Sequence, residues 1–312
     1  MIDIKLLEQL CLCNGISGDE GNVRNLIINE IKDCADDIKT DNLGNLIVFK
    51  KGKKSAKSKL MVSAHMDEVG LMVTDITSDG YLKFDEVGGI DRRVLPGKRV
   101  CVGRNGLNGV IGVKPIHLTN GDEKTAVPKM NDMYIDIGAE SREDALKYVN
   151  YGDGINFEGD FKINSKTVVT KALDDRFGCY VLINLIKSEP EYDMYFTFVV
   201  QEEVGLRGAR PAAFTVNPDF ALVIESTTAA DVAEVDASHQ VCNLSKGATV
   251  TVMDRATVYD KEMISAAFEL AKKNNIAVQY KRAVAGGNDS GAIHQSRGGV
   301  LSLIHISEPT RQ

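Results

Sequence analysis

Residues 195–212 read YFTFVVQEEVGLRGARPA. The run from Tyr195 to Val200 carries no charge and is rich in aromatic and β-branched residues, as expected of a strand buried in a sheet. It stops at two adjacent acids, Glu202 and Glu203. Carboxylates at the mouth of a buried strand are costly unless something pairs with them. Neighbouring side chains on an extended strand point to opposite faces. Both acids can therefore reach one rim only if the chain turns at Glu202, and the glycines of VGLRG allow that turn.

The same arrangement recurs. KLMVSA runs into His65 and Asp67, and FALVI runs into Glu225. TKALDD places Asp174 and Asp175 where a helix begins. Open α/β sheets bind ligands in the crevice at the carboxyl ends of their strands. Acids and a histidine gathered on one rim repel one another unless a cation joins them. Imidazole with carboxylates suits zinc, cobalt or manganese rather than a thiolate site. Singly, each residue has a plainer reading: His65 a hydrogen-bonded core histidine, Asp174 a helix N-cap, Glu202 and Glu203 a solvated turn, Glu225 a strand-end acid. Their coincidence at several strand ends points to a metal site.

Working outward, Ser17 with Glu20 reads as a capping box ahead of a helix carrying Val23, Leu26, Ile27 and Ile31. GNLIVFKKG reads as a further strand. From about Val69 the texture changes to short alternating runs separated by turn signals (LMVTDI, YLKFDEV, RVCVGRNG, GVIGVKP, MYIDIGA), the pattern of a small all-β module. One short helix, SREDALKYV, closes it, capped by Ser141 with Asp144. After Lys171 the α/β pattern returns, with Phe177, Val181, Leu185 and Ile186 on one helical face and a later helix around KEMISAAFELAKKN. The expected architecture is α/β: a discontinuous mixed-sheet domain, residues 1–67 and 163–312, with helices on both faces, interrupted by a β-barrel-like dimerisation domain at 68–162.

The composition narrows the function classes. The 312 residues are 43% apolar and carry a net charge of −7, which gives no basic footprint for nucleic acid. No apolar run is long enough to span a bilayer, and the start MIDIKLLEQLCLCNG lacks the layout of a secretory signal. Six cysteines without a CxxC pair make a poor disulfide framework, so a reducing cytoplasm is expected. Cys11 and Cys13 read as packing residues, and His117 and His239 as surface or structural ones. GGNDSGA around Ser290 offers a serine nucleophile only superficially, because no GxSxG elbow is present.

In order along the chain, SAHMDEVG, TKALDDRFGCYV, VVQEEVGLRGA, LVIESTTAAD and GGNDSGAIHQSRGGV resemble the dinuclear metallo-aminopeptidases, and more narrowly the tetrahedral and glutamyl aminopeptidases. The resemblance covers nearly the whole chain. It implies that His65, Asp174 and Glu225 bind one divalent ion, and that Asp174 bridges to a second, held also by Glu203. It implies that Asp67 orients His65 and that Glu202 is the general acid/base. Glu225 stands where the family often has aspartate. The implied reaction is removal of the N-terminal residue from peptides, in a homo-oligomer between dimer and dodecamer. The tail LSLIHISEPTRQ departs from the family. His305 arrives too early for the family's last histidine ligand, and the residues from about Leu303 onward are expected to be foreign and to supply neither strand nor ligand. Two other readings remain at this point: a non-catalytic metal-binding assembly subunit, and a glycoside hydrolase using the paired acids.

Overall fold

The computed structural model describes residues 3–284 and 286–310, with the side chains of 122, 123 and 305–310 outside the description. Packing divides the chain into two units: Met1–Cys13, Glu20–Asp67 and Ala172–Gln312 form one, and Asn14–Asp19 with Glu68–Lys171 the other.

The larger unit is built on an eight-stranded sheet. In chain order its strands are β1 (Asp37–Thr40), β2 (Leu46–Lys50) and β3 (Leu60–His65), and after the insertion β12 (Met194–Val199), β13 (Phe220–Thr228), β14 (Ala248–Val250), β15 (Val278–Tyr280) and β16 (Leu301–Thr310). Their order across the sheet is β1-β2-β12-β3-β13-β16-β14-β15. β12 and β13 flank β3, all three parallel, and β16 runs parallel to β13, while β2 and β14 are antiparallel to their neighbours β12 and β16. Parallel strands need cover on both faces, which is why β3 and β12 are almost unbroken apolar runs. Met61 of β3 packs with α5 (Ala209–Val216) and α7 (Asp289–His294). Its neighbour Val62 alternates to the other face, where α4 (Leu173–Lys187) packs with α1 (Ile4–Leu12) and α2 (Gly21–Ile31). The last long helix, α6 (Lys261–Lys273), has the Asp260 side chain as its N-cap.

The smaller unit closes six strands, β4 (Gly70–Ile76), β5 (Leu82–Val87), β6 (Arg99–Val102), β7 (Leu107–Val113), β8 (Met133–Asp136) and β9 (Gly154–Phe157), into a barrel in the order β4-β5-β8-β7-β6-β9. Leu71, Val73, Leu82, Phe84, Ile111 and Ile155 fill its centre. Closure leaves no strand edge to pair with another chain. The short helix α3 (Arg142–Ala145) has the expected cap, since Ser141 Oγ accepts from Asp144 N–H at 3.2 Å. Short strands β10 (Lys162–Ile163) and β11 (Val168–Val169) form a separate hairpin. Within this unit Lys171 Nζ lies 2.9 Å from Glu68 Oε1, both side chains largely buried.

Three expectations need correction. Helix α2 begins at Gly21 with Glu20, not Ser17, as its N-cap, and no side chain caps it; the Glu20 carboxylate instead accepts the Gln201 N–H at 3.1 Å. In α4 the buried stripe is Cys179, Leu182, Ile183 and Ile186, while Leu185 is exposed. Apolar residues occur around much of this helix, so periodicity fixes its pitch but not its phase. The tail does supply a strand. β16 spans Leu301–Thr310 and lies between β13 and β14, where its apolar residues Leu303 and Ile304 are buried. An LSLI sequence next to an open parallel edge has the β-propensity to fill it. The side chain of His305 lies outside the described residues. Among the described residues no helix is long and apolar enough to cross a membrane.

Arg176 shows how α1 and the end of β3 are held to α4. It is fully buried, its Nε donates to Met66 O at 2.7 Å, and one terminal nitrogen donates to Leu10 O (2.6 Å) and Cys13 O (2.7 Å). Replacing it leaves buried carbonyls unsatisfied, at about 1–3 kcal/mol each. We expect Arg176→Met to destabilise the protein by about 3 kcal/mol or more, read as a shift of the urea midpoint. Arg176→Lys should recover little, because a single ammonium cannot reproduce the guanidinium fork. A midpoint unchanged in Arg176→Met would refute this role.

Candidate metal centre

The site begins where β3 ends. His65 N–H donates to Asp175 Oδ2 at 3.2 Å, and Gly178 N–H donates to Asp175 Oδ1 at 3.0 Å, so Asp175 ties the last peptide of β3 to the first turn of α4. Asp174, joined to Asp175 by a cis peptide, presents Oδ1 to His65 Nε2 at 3.2 Å. Glu225 sits in β13 at an irregularity in its pairing with β16. Its Oε1 lies 3.4 Å from the same Nε2 and accepts Ser226 N–H at 3.1 Å. On the far side of the ring, Nδ1 is 3.0 Å from the Asp67 carbonyl oxygen and 3.5 Å from Asp67 Oδ1. A carbonyl only accepts, so Nδ1 carries the hydrogen and Nε2 faces the acids.

The paired glutamates reach this rim through the turn that the sequence requires. β12 stops at Val199, and Gln201 and Gly205 both adopt positive φ (58° and 114°). The turn is then pinned twice. Asp67 Oδ1 and Oδ2 accept the N–H groups of Glu202 and Glu203 at 3.0 and 3.1 Å. Asn45, buried, accepts Val200 N–H at 3.0 Å and donates to Gly208 O at 3.0 Å. A Cβ at Gly208 would lie 2.4 Å from Asn45 Oδ1, so only glycine lets the chain pass this close. Asp67 thus does more than face the histidine: its carboxylate holds the two-glutamate turn in place.

Ligand-type atoms converge in two groups, each within 4.8 Å: His65, Asp174 and Glu225, and His65, Glu202 and Glu203. All five residues line one cavity of about 300 Å³. Burial, with Glu225 and Asp289 adding repulsion against the pull of His65, pushes Glu202 up to about 10. Burial likewise pushes Glu225 to about 8, with Asp174 adding to it and His65 opposing. For His65 burial opposes the charge, but Glu225, Asp174 and Asp67 outweigh it and hold the imidazole well above its usual range. Acids this crowded give up their charge unless a cation compensates it. Among the described residues, Glu225 Oε2 and both carboxyl oxygens of Asp289 are buried without a hydrogen-bond partner. Histidine and carboxylate donors with unspent lone pairs fit a divalent cation.

The structure therefore brings together His65, Asp174, Glu202, Glu203 and Glu225, with Asp67 behind them. The sequence reading missed Asp289. It opens α7, is fully buried, and is pushed up to about 7 by burial, with Asp67 and Glu203 adding to it and His65 opposing. No apolar strand run precedes it, so the strand-end signal was absent. The adjacent Ser290 is not poised as a nucleophile. Its hydroxyl is hydrogen-bonded to Tyr259 OH (2.6 Å) and to Asn288 Oδ1, and Tyr259 OH and Asn288 Nδ2 both donate to Asp254 Oδ2 (2.5 and 2.7 Å). His117 and His239 are exposed.

The profile of the family described as M42 glutamyl aminopeptidase matches residues 44–312. The lysyl aminopeptidase of Pyrococcus furiosus is 33% identical over 100% of this chain and 90% of its own length. Among solved structures, the TET aminopeptidase of the marine-sediment archaeon Thaumarchaeota archaeon SCGC AB-539-E09 superposes with a TM-score of 0.92 at 34% identity, covering 97% of this chain and 87% of the other. The Pyrococcus horikoshii TET1 peptidase, described as assembling into a tetrahedron or a large octahedral shell, gives a TM-score of 0.85 at 39% identity, covering 97% and 90%. With the fold, the order of the motifs and the acidic rim all in agreement, the chain belongs to the M42 glutamyl aminopeptidase family of peptide-bond hydrolases.

Proposed function

We propose that the protein is a metal-dependent aminopeptidase that removes the N-terminal residue of peptides at a dinuclear centre. The observation that carries this reading is the convergence of two ligand-type groups, His65 with Asp174 and Glu225 and His65 with Glu202 and Glu203, on one cavity, beside buried oxygens of Glu225 and Asp289 that have no hydrogen-bond partner among the described residues. His65, Asp174 and Glu225 would hold one ion. Asp174 and Glu203 would hold the second, with Asp174 shared between them. Zinc, cobalt or manganese suits these donors. Bound there, the ions supply Lewis acidity, polarising the scissile carbonyl and lowering the pKa of water from about 15.7 towards roughly 7.

The chain's own residues do the rest. Glu202 takes the proton from the attacking water and returns it to the leaving amine. Asp67 keeps Glu202 and Glu203 at the rim by accepting both their backbone amides, and its carbonyl fixes the tautomer of His65. The acids also attract the positively charged free N-terminus, which accounts for a preference for chain ends. Self-association of the kind described for the TET relatives would place such centres inside a shell. The six free cysteines fit a reducing compartment such as the cytoplasm.

Exhaustive chelation should abolish cleavage of aminoacyl anilides, and zinc, cobalt or manganese should restore it; full activity in metal-free protein is incompatible with this reading. The two glutamates should separate by role. Glu202→Gln keeps its shape but cannot accept a proton, so turnover should fall by about 10²–10⁴ with metal content nearly unchanged. Glu203→Gln should instead lose metal and recover part of its activity in excess metal. Elemental analysis beside turnover checks both, and a reversed pattern would overturn the assignment.

A further inference from the structure

Asp67 is the residue on which both halves of the rim turn. Its carboxylate accepts the amides of Glu202 and Glu203, and its carbonyl faces Nδ1 of His65. An error in where Asp67 sits therefore passes to three groups at once. Its backbone is gripped on either side. Before it, Met66 N–H donates to Val199 O and Met66 O accepts from Arg176 Nε, both at 2.7 Å. After it, Glu68 N–H donates to Gly15 O at 3.1 Å, and Gly15 N–H donates to the buried Asn156 Oδ1 at 3.1 Å.

The Glu68 side chain is held as closely. Lys171 Nζ donates to Glu68 Oε1 at 2.9 Å, to Glu68 Oε2 at 3.1 Å and to Asn14 Oδ1 at 3.1 Å, one acceptor for each of its three protons. The two charged side chains are only 12% and 5% exposed. A buried pair of this kind adds little stability over apolar residues of the same size, because both ions lose their water. What it does supply is direction, since charge-assisted hydrogen bonds hold each partner at a defined distance and angle.

The cluster adjoins the metal centre along the chain at two points. Glu68 follows Asp67 directly. Lys171 precedes Ala172, the left-handed residue (φ 53°) that opens α4, and stands three residues ahead of Asp174. Asn14, Glu68 and Lys171 are not among the described residues lining the cavity, so they act through these neighbours. We propose that Lys171, Glu68 and Asn14 are positioning residues for the metal centre: their ion pair sets where Asp67 and Asp174 stand, and through Asp67 the aim of Glu202 and Glu203. This rests on the dinuclear reading above. A catalytic group displaced by about 1 Å costs on the order of 10²-fold in rate. Loss of a residue that orients a ligand costs about 10–100-fold in metal affinity.

The competing role is a tie that only holds the fold. Combining Lys171→Met with Glu68→Leu separates the two, since it removes both charges and strands neither. We expect this double variant to keep its urea midpoint close to that of the wild type. Its dissociation constant for cobalt(II), titrated against a chelator, should rise by about tenfold to a hundredfold. With cobalt saturating, kcat for an aminoacyl p-nitroanilide should fall by about as much while KM stays near the wild-type value, because Glu202 is misplaced and the cavity wall is not. Glu68→Gln keeps an acceptor for Lys171 and disturbs the fold less, so it should show the same losses to a smaller degree. Cobalt affinity and kcat at wild-type values in both variants overturn the proposal, as does a loss of affinity that only follows a fall in the urea midpoint; either result leaves the dinuclear reading intact. Wild-type protein that binds no cobalt and cleaves no anilide overturns that reading, and the proposal with it.

Discussion

A carboxylate taken out of water loses its hydration, and only donors or a cation can replace it. Asp67, Asp175, Glu225 and Asp289 are all buried at one edge of the sheet, around a histidine that is itself only 1% exposed. The way each is compensated sorts them. Asp67 and Asp175 spend their oxygens on backbone amides of Glu202, Glu203, His65 and Gly178, and so act as ties between β3, β12 and α4. Glu225 and Asp289 keep oxygens that meet no donor among the described residues. The first pair builds the rim, and the second leaves it with a demand for positive charge. The rest of the larger unit serves to hold these groups against their mutual repulsion.

That holding is done by the interior. β3 lies between two parallel neighbours, and the side chains of Met61, Val62 and Ala64 are packed without exposure. A strand so enclosed cannot slip by one residue, because the slip would turn every side chain to the opposite face. His65 is therefore delivered to a fixed point. Arg176 does the same for α1, gathering carbonyls from its last turn, from Cys13 just beyond it and from Met66 after β3 into a single hydrogen-bonded cluster.

How much of this the sequence reveals depends on the kind of signal. An apolar run that halts at a polar residue is a local pattern, and it located His65 at the end of β3 and Glu202 and Glu203 just past β12, whereas Glu225 lies within β13, which runs on to Thr228. The alternating runs of the barrel are equally local. Where the decisive partner is distant, the reading failed. Glu20 looks like half of a capping box, but its carboxylate is taken by Gln201, 181 residues away. The phase of α4 is set by the sheet beneath it, not by its own periodicity. Asp289 gives no strand-end signal, and its importance follows only from burial without a partner. The tail LSLIHISEPTRQ reads as foreign when taken alone, yet the family profile runs through residue 312 and the edge left by β13 takes up this short apolar β-prone segment as β16.

The hydrogen bonds that define the rim also set when it can exist. His65 meets Asp174 across 109 residues, and Asp67 meets Glu202 across 135. Glu225 and Asp289 come later still, and β16 is the last strand of the sheet. During synthesis the ribosome releases these pieces in that order, so a nascent chain holding the first two hundred residues carries His65 and Asp174 but no Glu225. Contacts this remote in sequence close slowly and late. The acidic rim is therefore assembled only after the later strands of the sheet have been made, and no early fragment of the chain carries all of its acids.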